Sequence, residues 1–334
     1  MADENRPLRI ALVGAGARAG GLHYHTLSRI PGVEIVAIAD ADASIASERA
    51  ARLGISARYS RADEMLRQEA PDVTYVIQLP QRSFEIAATV IEAGCHLVLK
   101  EPPGITSEQT RQLMLLAEKH NVQTGVLFFR RFSPVIRKGK ELSERNGAIH
   151  SAVATFYKHA VNAPPYYRGA AEIIRCDTIH AIDTLRYLCG GDVESVASDT
   201  RRLGVEHRNA HTALVRFSNG TVGILLSNWV AGKRLFSVEA HGPGVSFFCD
   251  PEEGGKIYAD GRTEPAHEIQ VEEVAHPDDQ PASYGLYDVN RHMLESMRAG
   301  MEPETCFRDA LKTMELVDAI LESQIVSAGG APFG

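Results

Sequence analysis

The stretch LRIALVGAGARAGGLHYHTL, residues 8–27, constrains this chain more than any other. Ile10, Ala11, Leu12 and Val13 form an apolar run with no polar face, the pattern of a strand buried on both sides. Gly14, Gly16 and Ala19 follow at once in G-x-G-x-x-A spacing. There one glycine makes a tight turn, the next lets backbone approach a pyrophosphate, and a small third residue lets the following helix pack on the strand. A phosphate then sits on the free N–H groups opening a helix that runs through Leu22 and Leu27. Taken alone, such a turn is equally a tight loop that binds nothing. A second strand-like run, Glu34 to Ala39, ends on Asp40, where a carboxylate accepts hydrogen bonds from both hydroxyls of an adenosine ribose. Strand, turn, helix, strand and acid together predict dinucleotide binding. Asp40 repels a 2′-phosphate and favours NAD, while Arg18 in the glycine loop is placed to accommodate one and keeps NADP open.

Downstream the same grammar repeats. Helical spacing runs from Ser44 to Leu53 with Gly54 placed to end it, and a short helix covers Ala62 to Gln68. A buried strand, Val73 to Ile77, leads into Leu79 and Pro80; a helix through Ile86 and Ile91 stops at Gly94; His96 to Leu99 is the next strand. A helix from Arg111 to His120 and a strand from Gln123 to Leu127 add one further unit. Strands alternating with helices at this rate predict right-handed crossovers and a parallel sheet covered on both faces.

Near Phe132 the grammar changes. A helix, Pro134 to Leu142, precedes a strand around Ala148 to Tyr157, a proline-bearing loop, and a helix from about Ile179 to Leu188. Then come Thr212 to Phe217, an Asn219-Gly220 hairpin turn, Val222 to Ser227, Leu235 to Ala240 and Val245 to Cys249, an antiparallel sheet whose strands follow one another directly. Helices Tyr287 to Arg298 and Phe307 to Ser323 close the chain, and the acidic segment His267 to Gln280 reads as a solvated loop. At 334 residues, this pattern predicts two domains: an α/β dinucleotide-binding domain over 1–128, and over 129–334 an α+β domain with an open, mostly antiparallel sheet, its C-terminal helices packing back on the first domain.

Composition removes several classes of function. A formal charge of −8 without a basic run argues against a nucleic-acid partner. No apolar run approaches the roughly 20 residues needed to cross a bilayer, and MADENRPLR lacks the apolar core of a signal peptide, so the expected location is cytoplasmic, with no membrane partner. Cys95, Cys176, Cys189, Cys249 and Cys306 are scattered and never in C-x-x-C spacing, which predicts neither a disulfide framework nor a zinc knuckle, and no metal is expected.

Motifs spread through both halves resemble the glucose-fructose oxidoreductase and inositol dehydrogenase (Gfo/Idh/MocA) family. The resemblance rests on Gly14 and Gly16 with His23 and Leu27 behind them, Asp40, Pro80, Gly94 and His96, Arg131-Phe132-Ser133-Pro134, His180 with Asp183, Phe217 through Gly223, and ALKTMELVDAILES near the C-terminus. It implies a Rossmann domain that binds NAD or NADP, with Leu79, Pro80 and Glu101 joining the cofactor contacts. It also implies reversible hydride transfer at a hydroxyl or carbonyl carbon of a sugar-like or other polar small molecule held against the second domain's sheet. A homodimer or homotetramer covering the open sheet is implied as well.

One departure matters. Family dehydrogenases usually carry Glu-Lys-Pro after the fifth strand, the lysine helping to shuttle a proton; here Lys100-Glu101-Pro102 exchanges the two charges. Adjacent side chains on extended backbone point to opposite faces, so Glu101 is expected toward the nicotinamide and Lys100 away from it. Glu101 can then act as acid and base; or a shift helped by Pro102-Pro103 brings Lys100 into the site; or the second domain handles the proton; or the two charges form a structural ion pair in a nucleotide-binding protein that has lost the hydride step. In the second domain the resemblance places His180 at a helix start facing substrate, with an aspartate four residues earlier. That position is Cys176, and Asp177 lies next door. An imidazole exchanges protons in the useful range, so His180 leads the acid–base candidates, with Lys100, Glu101 and Asp177 beside it. Arg131, Lys158 and Tyr167 are the remaining substrate-binding candidates, with His180 among them.

Overall fold

The computed structural model describes residues 6–16, 23–277, 279 and 285–323. Elements of the first half are β1 (Leu8–Val13), α1 (Tyr24–Leu27), β2 (Val33–Ala39), α2 (Ala43–Leu53), β3 (Ala57–Tyr59), α3 (Ala62–Glu69), β4 (Val73–Val76), α4 (Pro80–Glu92), β5 (His96–Leu99), α5 (Ser107–His120) and β6 (Thr124–Val126). All six strands are parallel, in the order β3-β2-β1-β4-β5-β6. The apolar runs explain this: Ile10, Leu12, Val73, Val76, Leu97 and Leu99 are all fully buried, as strands covered on both faces require. Strand order reverses between β1 and β4, the switch point at whose carboxyl edge ligands bind in such sheets.

The second half contributes α6 (Pro134–Glu144), β7 (Ser151–His159), a π-helical turn (Ile174–Thr178), α7 (Ile179–Cys189), β8 (Val193–Arg201), β9 (Ala210–Phe217), β10 (Val222–Asn228), β11 (Val230–Gly242), β12 (Val245–Asp250), β13 (Gly254–Ala259), β14 (His267–Ile269) and α8 (Val271–Val274). They form an eight-stranded sheet in the order β14-β13-β12-β11-β7-β10-β9-β8. Only β7 and β10 pair in parallel. The expectation that the strands follow one another directly is therefore corrected: β7, made early in the chain, is inserted between β10 and β11, and this long-range pairing leaves no local signal. The segment His267 to Gln280 is likewise corrected, since it supplies edge strand β14 and helix α8.

Alternation along β9, where His211, Ala213, Val215 and Phe217 are buried and Thr212, Leu214 and Arg216 are exposed, shows one covered face. Helices α6 and α7 pack on it. Gly139 in α6 is needed there, because a Cβ would overlap the ring of Phe247. The other face leaves Leu214 51%, Ile224 36% and Phe248 40% exposed.

Two helices end the described chain, α9 (Leu286–Arg298) and α10 (Phe307–Glu322). The chain divides into two compact units, Met1–Phe128 with Leu286–Leu311, and Phe129–Gly285 with Lys312–Gly334. Within the first, Thr305 donates to the Val126 carbonyl at 2.7 Å, and a Cβ at Gly125 would strike Met293 of α9. Within the second, Ser198 of β8 donates to the Ile320 carbonyl of α10 at 2.6 Å.

Candidate functional site

In the first unit, Gly14 follows β1 at φ +100°, a conformation that disfavours any residue with a side chain. A Cβ there would also overlap the carbonyl of Ile77 at the end of β4. Tyr24 of α1, fully buried, donates its hydroxyl to the Gly14 carbonyl, and burial pushes its phenol pKa well up. Asp40, one residue beyond β2, accepts from the Ala15 N–H at 2.6 Å through Oδ2 and from the Asp42 N–H at 2.9 Å through Oδ1. The carboxylate thus ties the glycine turn to the end of β2, and each oxygen keeps lone-pair capacity for a hydroxyl. A cavity of about 390 Å³ opens beside it, lined by Asp40, Arg61, Gln78, Arg82 and Ile86. Gln78 and Arg82 escaped the sequence reading; the signal that could have found them is their place just after β4, at the switch point. Leu79 caps α4 and is 44% exposed, with Pro80 buried at its first turn. Arg18 and Ala19 lie outside the described residues. The turn, the anchored acid and the adjoining cavity fit an adenosine and its diphosphate.

Lys100 and Glu101 stand after β5, and the expectation that they diverge is corrected. Lys100 Nζ donates to Glu101 Oε1 at 2.7 Å and to the Glu101 carbonyl at 2.9 Å, with side chains 10% and 5% exposed. The ladder ends at Leu99, so the alternation rule of a strand no longer governs these two residues. The Glu101–Pro102 bond is cis.

In the second unit, His180 sits in the first turn of α7, 7% exposed, with its ring edge-on to Phe129 at 4.9 Å. The preceding π-helical turn holds Cys176, buried, and Asp177. Turns of this kind occur often at functional sites. Asp177 Oδ2 accepts from Lys158 of β7 and, at 2.7 Å, from Tyr166, whose oxygen accepts from Trp229 Nε1 at 3.0 Å. Lys158 Nζ also lies 5.1 Å from the Phe156 ring and 5.5 Å from that of Trp229. Trp229 is 1% exposed and still supplies a polar link.

Tyr167 adjoins this cluster: it touches Tyr166 ring edge to face at 6.2 Å and, like Arg168, has positive φ. Both tyrosines of the proline-bearing loop read from sequence as able to bind hydroxyls, and the fold links Tyr166 to Trp229 and Asp177. Arg131 is a buried arginine. It is 5% exposed, and its fork engages both oxygens of Asp183, Nε to Oδ2 at 2.7 Å. Thr313 donates to the same carboxylate at 3.1 Å, and Arg186 donates to Thr313 at 2.6 Å. This network fastens α7 to α10 and to the turn before α6.

A dinucleotide cradle at the switch point of a parallel sheet, followed by a mostly antiparallel domain carrying a histidine, lysine and aspartate, defines a nicotinamide-nucleotide oxidoreductase class of protein. Comparison with known proteins gives the same class. The oxidoreductase family with an NAD-binding Rossmann fold, Gfo/Idh/MocA, matches residues 8–128, and that family's C-terminal domain matches residues 142–247. The chain belongs to the Gfo/Idh/MocA oxidoreductase family. It is 26% identical to D-apiose dehydrogenase of Paraburkholderia graminis, over 92% of this chain and 85% of that one. It is 27% identical to myo-inositol 2-dehydrogenase of Thermotoga maritima, over 65% and 67% respectively. Among solved structures, levoglucosan dehydrogenase in complex with NADH and levoglucosan shares the fold at TM-score 0.85 and 20% identity, covering 95% of this chain and 97% of that one.

Proposed function

We propose that this protein oxidises a hydroxyl carbon of a sugar-like or cyclitol substrate, reversibly, with NAD as partner, and that His180 exchanges the hydroxyl proton. The observation that carries this is the Asp40-anchored glycine turn in the first unit of a chain that matches the family through both domains. Relatives named as apiose and inositol dehydrogenases support the substrate class. NAD supplies hydride acceptance when bound. Gly14, Gly16 and Asp40 would hold its diphosphate and ribose, with the Ala15 N–H fixing the Asp40 carboxylate, and Leu79 and Pro80 would border it. NAD is favoured over NADP because Asp40 meets the ribose with a negative charge.

His180 can serve because an imidazole both accepts and donates a proton near neutral pH, and Phe129 holds its ring. Lys100 and Glu101 form a second candidate, favoured by one observation: their buried contact already holds a proton between a base and an acid. The test is turnover of His180→Asn, Lys100→Met and Glu101→Gln with a panel of polyols and aldoses, beside calorimetric NAD binding. His180→Asn should lose about 10²- to 10⁴-fold in turnover with NAD binding kept. Unchanged turnover in that variant transfers the role to whichever of the other two is inactive. NAD binding with no turnover by the wild type supports a nucleotide-binding protein without the hydride step.

We also read the protein as a cytoplasmic homodimer or homotetramer. Among the described residues the five cysteines are free thiols and no helix is long and apolar enough to cross a membrane. Leu214, Ile224 and Phe248 on the open sheet face offer apolar surface to a second subunit. Light scattering at micromolar concentration that returns the monomer mass would refute this.

A further inference from the structure

The polar cluster around Asp177 carries one step beyond this reading, and rests on it. Both donors that reach Asp177, Lys158 Nζ and the Tyr166 hydroxyl, converge on Oδ2. Among the described residues Oδ1 accepts no hydrogen bond, and 16% of the side chain is exposed. Lys158 has three N–H bonds. Its described partners are Asp177 and, at 3.5 Å, Tyr166, and 25% of its side chain is exposed. Because the ammonium touches one oxygen of the carboxylate and the other oxygen is open, an available donor and an available acceptor lie side by side. A hydroxyl both accepts and donates, so two neighbouring hydroxyls satisfy both. A carboxylate or phosphate would meet Oδ1 with like charge.

We propose that Lys158 Nζ and Asp177 Oδ1 form a donor–acceptor couple that reads a vicinal pair of hydroxyls on the substrate, and that Tyr166, through Asp177, is the positioning residue that aims it. Trp229 is the fixed point. It is buried, and its indole N–H donates to Tyr166 at 3.0 Å, so the phenol proton is directed to Asp177 at 2.7 Å. Without the phenol proton Oδ2 keeps only the lysine, and the carboxylate is free to rotate. The aromatic rings of Phe156 and Trp229 beside Lys158 limit where its ammonium can go.

The experiment takes full-length protein saturated with NAD and measures kcat and KM for myo-inositol, D-xylose and D-glucose, then for the monodeoxy series of whichever turns over. Tyr166→Phe should raise KM for the parent sugar about 10-fold with kcat within twofold, and Asp177→Asn should raise it more. One deoxy analogue, lacking a hydroxyl of the recognised pair, should show a raised KM in wild type and no further change in Tyr166→Phe. Thermal melting of Tyr166→Phe, a conservative change at a part-exposed residue, shows whether the fold is kept; if it is not, Lys158→Gln carries the same deoxy comparison. Equal KM in wild type and both variants overturns the couple while leaving the dehydrogenase reading intact. A fall in kcat at constant KM overturns it too, since the cluster would then act on the reacting atoms. Absence of turnover with every sugar tested overturns the underlying reading and this one with it.

Discussion

Two lysine–carboxylate pairs, one in each unit, use the same chemistry at different depths. Lys100–Glu101 is nearly closed to solvent, with side chains 10% and 5% exposed, while Lys158–Asp177 keeps 25% and 16%. In the first pair the lysine ammonium reaches both a carboxylate oxygen and the main-chain carbonyl of Glu101. The second leaves one carboxylate oxygen open and is braced from behind by Tyr166 and Trp229. Depth decides what each can do. Charge that is fully enclosed is expensive to disturb and holds structure or a proton, whereas charge that is braced on one side can be offered to a ligand.

The largest effect should come from the pair more deeply buried than either. Asp183→Ala leaves the Arg131 guanidinium buried against an empty position and should cost about 3–5 kcal/mol in urea denaturation. A loss under about 1 kcal/mol would show that water reaches Arg131 and that depth is a poor guide here.

Next, Lys100→Met should cost about 3 kcal/mol, and a double-mutant cycle with Glu101→Gln should show strong coupling. A coupling equal to that of the second-unit pair would erase the contrast between them.

A buried group with no counter-charge paired to it among the described residues tests the same principle through pH. His211 is 1% exposed, and among the described residues neither ring nitrogen has a hydrogen-bond partner. Burial first, and Arg208 second, push its pKa down from the ordinary 6.5 to about 4. The unfolded chain takes up the proton at the higher pH, so stability falls as pH drops from about 6.5 toward 4. This loss amounts to about 2 kcal/mol by pH 5. His211→Phe should remove it, so melting curves of variant and wild type should converge or cross as pH falls. A constant difference between them from pH 8 to pH 5 would contradict the shift.

The smallest effect belongs to the open pair: Lys158→Met should change stability by about 1 kcal/mol or less, although the same change should weaken substrate binding. A cost near that of Lys100→Met would mark Lys158–Asp177 as structural and remove the asymmetry.

The sequence alone disclosed what local periodicity and spacing encode. Unbroken apolar runs such as Ile10 to Val13 announced strands covered on both faces, and the glycine spacing after Val13 with the acid at Asp40 announced the cradle. Both are short-range signals, written in consecutive residues. It could not show that β7 inserts between β10 and β11, because that pairing joins segments about 70 residues apart in register. Nor could it show that Lys100 and Glu101 turn toward each other, since strand alternation stops where the ladder ends at Leu99. The link from Tyr166 to Asp177, and the pairing of Asp183 with Arg131, were likewise settled by tertiary packing. Residue type and spacing determine which chemistry is available to this chain. Which side chains meet, and how deeply they lie, depends on contacts between distant segments, and that depth sets the energy of every charge described above.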